Sequence, residues 1–250
     1  MSLPPQAERL WHGLGLGPLW RERGVGNAPA PLAVEDGESA RGKAVPAEPP
    51  ASREPAAAGD WESVRSAVAA CTACGLCRTR TQTVFEAGNR AASWMFIGEA
   101  PGAEEDARGE PFVGQAGKLL DSMLATIGLG RARSPQESVY IANVIKCRPP
   151  GNRNPEPGEV SACEHFLLRQ IELLRPRLIV VMGRFAAQSI LRTDSSISSL
   201  RGRVHQVQFG AQTYPVVVTY HPAYLLRTLA DKAKTWEDLC LALAAFERLS

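Results

Sequence analysis

The chain has 250 residues, of which 44% are hydrophobic and 22% charged, with a formal net charge of +2. This balance excludes fibrous, collagen-like and wholly disordered proteins and predicts a soluble protein with a real core. Apolar runs such as residues 178–182 are far shorter than the roughly 18 residues of a membrane span, so no membrane protein is expected. The N-terminus lacks the pattern of a secretory signal, so we expect the protein in the cytoplasm. Because the cytoplasm is reducing, the six cysteines are not expected to form a disulfide framework.

The first 59 residues differ in composition from the rest of the chain. Ala, Gly and Pro fill 28 of the first 60 positions, a composition that buries too little apolar surface to offset chain entropy. We therefore expect a disordered tail over residues 1–59. Residues 10–20 are more apolar and predict either a frayed end or a short helix that docks on a protein partner.

From Asp60 onward, helix and strand patterns alternate, beginning with a predicted helix over residues 61–70. Buried strands are predicted at 94–98, 139–145, 178–183 and 216–220, and amphipathic helices at 115–127, 156–174, 184–191 and 235–249. This alternation predicts one α/β domain over residues 60–250, a three-layer α/β/α sandwich with a mainly parallel central sheet. Ligands of such folds bind at the carboxyl ends of the strands.

Polar or glycine-rich segments follow three of the predicted strands. The first strand ends in the turn Gly98-Glu99-Ala100, the second ends near Asn143, and the last is followed by His221. A lone histidine at a strand end is more often structural than catalytic, but here three strand ends converge on one edge of the sheet. We therefore expect the active site at that edge.

The cysteines form a second pattern. Cys71, Cys74 and Cys77 follow one another at two-residue spacings, whereas Cys147 and Cys163 lie far along the chain. Such thiolates bind zinc or an iron-sulfur cluster, and the spacing does not separate the two. Cys240 lies on the apolar pattern of the last helix and is predicted to be a buried free cysteine.

Three ordered motifs, GEAPGAEEDARGEPFVG, IANVIKCRPPGNRNP and HPAYLLR, occur together with this cysteine set. In these motifs the chain resembles the family 4 uracil-DNA glycosylases, the iron-sulfur members of their superfamily, which occur in bacteria and archaea. The resemblance covers about residues 68–248 and leaves out the tail. It implies an α/β/α fold and a monomeric bacterial, cytoplasmic enzyme that flips uracil out of DNA and hydrolyses its glycosidic bond, leaving an abasic site.

The resemblance also implies a [4Fe-4S] cluster. Its ligands would be Cys71, Cys74, Cys147 and Cys163, with Cys77 as the alternative ligand. Hydrolysis needs no redox step, so the cluster would be structural. It would tie the segment before the sheet to the Cys147 loop and the helix that follows.

The expected site fits the recognition of uracil. Asn143 carries one acceptor and two donors, so it can meet both the N3–H donor and the O4 acceptor of the base. Phe112 would stack on the uracil ring, although core packing is the alternative for this side chain. The base leaves as an anion, which backbone amides in the Gly98-Glu99-Ala100 turn and a hydrogen bond from His221 would stabilise.

Other roles come from the resemblance. Glu105 would lie against uracil C5 and exclude a thymine methyl group, and at least one acidic residue of 104–106 is expected to be simply solvated. Water activation stays open between Glu99 and Asn152, because related enzymes have an aspartate where this chain has Ala100. With no lysine at a motif position to form a Schiff base, a monofunctional glycosylase is expected.

Contact with DNA is predicted for the loop Leu225-Leu226-Arg227, where an apolar wedge fills the gap left by the flipped base and the arginine meets a phosphate. Three alternatives stay open. One is a glycosylase for deaminated purines, one a non-catalytic DNA-binding accessory protein, and one an electron-transfer protein. The last leaves Asn143, Phe112 and His221 without a role.

Overall fold

The computed structural model describes residues 60–249, which belong to the compact unit Gly59–Ser250. The predicted disorder, helix and protein partner of the tail lie outside the described residues. None of the helices in the described range combines the length and the apolar character that crossing a membrane requires.

The described residues form a six-stranded sheet. Its strands are β1 (Ala87–Gly88), β2 (Trp94–Gly98), β3 (Val139–Asn143), β4 (Leu178–Met182), β5 (Val204–Phe209) and β6 (Gln212–Thr219). Their order is β1-β3-β2-β4-β6-β5, with the inner four strands parallel and the two edge strands antiparallel. The predicted mainly parallel sheet is confirmed.

Helices cover both faces of the sheet. They are α1 (Trp61–Ala70), α2 (Ala103–Arg108), α3 (Gln115–Thr126), α4 (Pro157–Leu174), α5 (Arg184–Leu191), α6 (Ile197–Leu200), α7 (Pro222–Leu225) and α8 (Lys232–Glu247). Short 3-10 turns lie at Gly75–Arg78, Pro150–Asn152 and Leu229–Asp231.

Alternate residues along each inner strand face opposite layers, as the two-residue repeat of a strand requires. In β2, Met95 and Ile97 belong to the core shared with α1, α4 and α5, whereas Trp94 and Phe96 belong to the core shared with α3 and α8. All four side chains are 0–1% exposed. The three-layer α/β/α architecture is therefore confirmed.

The register of the parallel strands places their carboxyl ends side by side at one edge of the sheet. Gly98 pairs with Asn143, and Met182 pairs with Thr219. The segment after β3 leaves the strand pattern at Asn143, yet Val144 N still donates to Gly98 O at 3.0 Å. The turn after β2 and the loop after β3 therefore emerge side by side, which brings their side chains together.

Candidate active site

A cavity of about 790 Å³ opens at the carboxyl ends of the inner strands. The predicted site residues that line it are Glu99, Ala100, Glu105, Phe112, Asn143, Asn152, His221 and Arg227. Sequence reasoning missed Arg184, Tyr220 and Tyr224, which also line it. Gly183, which directly follows β4, was the available signal for Arg184, since it marks a fourth strand end at the same edge.

Gly98 lets the floor of the cavity close. A Cβ atom at this position would lie 2.5 Å from Asn143 Oδ1 and 2.6 Å from Phe112 Cζ. Real Cβ atoms do not approach other atoms so closely, so any larger residue must displace one of these groups. The absence of a side chain at Gly98 therefore leaves room for the Asn143 amide and the Phe112 ring.

Asn143 presents an unused acceptor. The residue is 2% exposed, and its Oδ1 atom is buried with no hydrogen-bond partner among the described residues. An unpaired buried polar atom costs free energy, and one that borders a cavity can be satisfied by a ligand or water that enters it. The side chain is therefore set to receive a hydrogen bond from whatever enters the cavity.

Phe112 lies beside this acceptor and is 6% exposed. Its ring centroid is 5.4 Å from that of His221, with the two planes inclined by 31°. Its backbone has φ = 57°, a left-handed conformation that a residue with a side chain seldom adopts. The ring is thus held at the cavity wall by an unfavourable backbone, which is typical of functional positions.

Glu105 is bound to the backbone of the Phe112 loop. Its Oε1 accepts hydrogen bonds from Val113 N and Gly114 N, both at 3.0 Å, and its Oε2 accepts one from Gly102 N at 3.1 Å. Of its two acidic neighbours, Asp106 accepts from Thr81 N, whereas Glu104 is exposed. Glu104 is thus the solvated member of the predicted acidic run.

His221 begins α7 as its N-cap, and its Nδ1 accepts a hydrogen bond from Ala223 N at 3.2 Å. Burial and, to a smaller extent, the positive charge of Arg227 lower the pKa of His221 to about 4, against the opposing effect of Glu105. The imidazole is therefore neutral at pH 7. Because Nδ1 is an acceptor, the proton sits on Nε2, which makes the ring a neutral hydrogen-bond donor.

Glu99 and Asn152, the two candidates for water activation, differ in their surroundings. Burial raises the pKa of Glu99, and the positive charge of Arg184 partly offsets that rise. The Asn152 Oδ1 atom already accepts a hydrogen bond from Arg148 Nε at 2.7 Å. Glu99 is a titratable carboxyl facing the cavity, whereas Asn152 is neutral with its oxygen engaged.

The residues of the predicted DNA-contact loop differ in their exposure to solvent. Leu225 is 1% exposed and packs in the core beside α3 and α8, so its side chain is not available to a duplex. Leu226 is 44% exposed and Arg227 is exposed. Leu229, which the sequence reasoning did not single out, is 63% exposed.

Five cysteines converge away from this cavity. Cys71, Cys74, Cys77, Cys147 and Cys163 line one small, mostly apolar pocket. Across residues 60–249 no three His, Cys, Asp or Glu side chains are arranged as a ready-made ion site. However, Arg80 Nη1 donates to Cys147 Sγ at 3.0 Å and Lys146 N to Cys163 Sγ at 3.3 Å. A sulfur-lined pocket with donors directed at the sulfurs fits the chemistry of a thiolate-bound cluster.

The prediction that Cys240 is buried is wrong. Cys240 is exposed, whereas Leu239 and Ala242 on the same helix are buried at 2% and 0% exposure. The last helix is apolar on a broad face, so the sequence pattern did not separate the face that packs on the sheet from its flank.

Comparison with known proteins decides the family. Residues 85–240 match the model of the uracil DNA glycosylase superfamily. The chain belongs to this superfamily. A type-4 uracil-DNA glycosylase of Archaeoglobus fulgidus is 48% identical over 64% of the chain and 79% of the relative. One of Thermotoga maritima is 44% identical over 69% of the chain and 86% of the relative. A type-5 uracil-DNA glycosylase of Pyrobaculum aerophilum is 30% identical over 55% of the chain and 64% of the relative. The type-4 resemblance predicted from the motifs is confirmed.

Proposed function

We propose that this uracil-DNA glycosylase superfamily member is a monofunctional DNA repair enzyme that flips uracil out of DNA and hydrolyses its glycosidic bond, leaving an abasic site. The observation that carries the proposal is the unpartnered, buried Oδ1 of Asn143 in a cavity walled by Phe112 and a neutral His221. A base must leave the stack to reach such a cavity.

Asn143 reads the base edge in this proposal. Its free Oδ1 accepts the N3–H of uracil, and its amide hydrogens face O4. Cytosine reverses both positions, with an acceptor at N3 and an amino donor at C4, so the same amide mismatches it. The ring of Phe112 stacks on the base and orients it toward this edge.

Glu105 excludes thymine in this proposal. The carboxylate lines the cavity and three backbone amides hold it in place, so it cannot swing aside to admit a methyl group at C5. A rigid wall discriminates better than a mobile one, because the larger base must then deform the loop or stay out.

The departing uracil carries negative charge on O2. His221 donates a hydrogen bond to it from Nε2–H, and the backbone amides of Glu99 and Ala100 complete the site. Since the pKa of His221 is about 4, the donor is neutral and needs no acid medium. A neutral donor also leaves the product anion free to depart without forming a tight ion pair.

Glu99 is proposed as the base that takes a proton from the attacking water. Its carboxyl lines the cavity, and a raised pKa brings a carboxylate closer to the range where it accepts protons efficiently. Asn152 orients the same water through its amide hydrogens. No lysine among the described residues lines the cavity, which supports hydrolysis without a Schiff base.

Leu226 is proposed as the wedge that fills the gap left in the duplex, because it is exposed whereas Leu225 is buried. Arg227 follows it and binds a DNA phosphate. The chain is proposed to act as a monomer.

The cysteine pocket is proposed to hold a [4Fe-4S] cluster through Cys71, Cys74, Cys147 and Cys163. Cys77 lines the same pocket and stays the alternative ligand. When bound, the cluster would supply a cross-link between three segments of the chain and no step of the reaction. Arg80 and the amide of Lys146 would then donate hydrogen bonds to its thiolates.

The test is a base-release assay. The protein is incubated with two oligonucleotides that differ only in uracil or thymine at one position, and abasic sites are then cleaved with alkali. Cleavage of the uracil strand alone is expected. Cleavage of neither strand would refute the enzymatic proposal and favour a DNA-binding accessory protein, and a third strand with hypoxanthine measures activity on deaminated purines.

A further inference from the structure

The Phe112 backbone is held from two sides. Glu105 binds the amide groups that follow Phe112. The carbonyl groups at and before Phe112 are bound by Arg131, which lies in the loop after α3. Arg131 Nη2 donates to Phe112 O at 2.6 Å, and Nη1 donates to Pro111 O at 3.0 Å.

Arg131 is itself fixed. Its Nε donates to Asp121 Oδ1 on α3 at 2.7 Å, and its side chain is 19% exposed. Nη1 also donates to Glu110 Oε1 at 3.3 Å. A guanidinium presents its donors in a rigid, planar fork, so binding four acceptors at once leaves it a single orientation. Arg131 does not line the cavity, and it therefore reaches the base only through Phe112.

The segment that carries Arg131 is tied to the strand that carries Asn143. Gly130 N donates to Glu137 O at 3.0 Å, and Val139 N donates to Gly130 O at 3.2 Å. Val139 is the first residue of β3 and Asn143 is the last. Arg131 thus connects the Phe112 loop to β3, the strand that ends at Asn143.

Helix α3 closes the remaining side of the same carbonyl. A Cβ atom at Gly117 would lie 1.7 Å from Phe112 O, so the helix backbone is packed directly against this oxygen. The Phe112 peptide is therefore enclosed by Arg131, Gly117 and Glu105. A left-handed residue needs surroundings that over-determine it in this way.

We infer that Arg131 is a positioning residue for base excision, which fixes the Phe112 ring against the base by binding the carbonyl groups of Pro111 and Phe112. The inference rests on the proposed role of Phe112 as the stacking residue. Without Arg131 the left-handed residue relaxes, and the ring leaves the place it shares with Asn143 and His221.

The test is a double-mutant cycle on single-turnover excision of uracil, with Arg131→Met, Phe112→Ala and the double variant. Arg131→Met is expected to lower the rate at saturating enzyme at least tenfold and to change half-saturation less than threefold. In the Phe112→Ala background the same substitution is expected to cost less than twofold, because the ring that it positions is gone. Arg131→Lys, which keeps the charge but loses the fork, is expected to fall between parent and Arg131→Met.

Arg133→Met is the matched control. Arg133 lies in the same loop and donates from Nη1 to the backbone oxygen of Gly128 at 2.9 Å, away from Phe112. This variant is expected to excise uracil at the parent rate. Equal losses in Arg131→Met and Arg133→Met would overturn the inference and indicate a general loosening of the loop.

Gly117→Ala gives a second perturbation of the same carbonyl should Arg131→Met fail to fold. Alanine is a better helix former than glycine, so a loss of activity does not come from helix propensity. A loss that disappears in the Phe112→Ala background supports the inference. Losses that multiply in both double variants refute it. A parent protein that releases no uracil would instead refute the proposed function, before any variant is compared.

Discussion

The substitution Asn143→Asp tests the reading of the base most directly, because it exchanges one amide donor for an acceptor and leaves the shape unchanged. At pH 8 the new carboxylate still accepts the uracil N3–H but faces O4 with a lone pair. The residue is 2% exposed, so water cannot relieve this repulsion. A buried polar group left in that state costs about 1–3 kcal/mol, which corresponds to a loss of roughly 5- to 150-fold in rate.

The burial of Asn143 places the expected loss above the lower end of this range, at tenfold or more. The deficit is also expected to shrink as the pH falls, because protonation of the carboxyl restores one donor. Asn143→Ala provides the contrast, since its deficit has no such pH dependence. Single-turnover release of uracil at pH 8 and pH 5.5 measures both.

Asn89→Asp is the charge control for this experiment. Asn89 Oδ1 accepts a hydrogen bond from Ala91 N at 2.9 Å at an exposed site, and an aspartate keeps that bond. It is expected to behave as the parent does. If Asn143→Asp releases uracil at the parent rate at pH 8, the amide does not read the base edge.

His221, Gly98, Leu226 and the cysteines can each be tested by one perturbation. His221 has a pKa of about 4 when folded, against about 6.5 in an unfolded chain, so the free energy of unfolding should fall by about 2–3 kcal/mol as the pH drops from 6.5 to 4. Urea unfolding of His221→Gln should show a smaller fall over the same pH range, because the variant lacks the imidazole. A fall as large as that of the parent would contradict the prediction for His221. Gly98→Ala, whose Cβ would meet Asn143 Oδ1 at 2.5 Å, should lower uracil release at least a hundredfold, and the melting temperature should also fall because overpacking a buried site is destabilising. Leu226→Ala should weaken excision from duplex more than from single-stranded DNA, and equal effects on both would exclude a wedge. Anaerobically purified protein should contain about four irons with labile sulfide. Cys163→Ser should lose the iron and sulfide, and Cys240→Ser should keep them. Stoichiometric zinc in the parent protein would refute the cluster.

The inner part of the fold was predictable from sequence because buried strands leave a strong signal. Strand β2 was predicted over its full length, and helices α1 and α5 have the predicted bounds. Strand β5 was missed because it is an edge strand, in which exposed and half-buried residues alternate and none is fully buried. Helix α2, six residues long, was missed because it lies within a glycine-rich turn.

The site was predictable where a side chain itself carries the chemistry. Asn143 and His221 stand out because polar residues end buried strands. Arg131 could not be found in this way, because it acts on backbone carbonyls 19 and 20 residues away, and a carbonyl has no letter in the sequence. Leu225 and Leu226 differ in exposure only because of where one short helix ends.

The division of the cavity among four strand ends has a consequence for incompletely folded copies of the protein. Its walls come from chain segments that are far apart in sequence, at Gly98, Asn143, Gly183 and His221. A copy in which any one of these segments is out of place lacks part of the cavity. Release of uracil should therefore stop as soon as any one of the four segments leaves its place in the sheet.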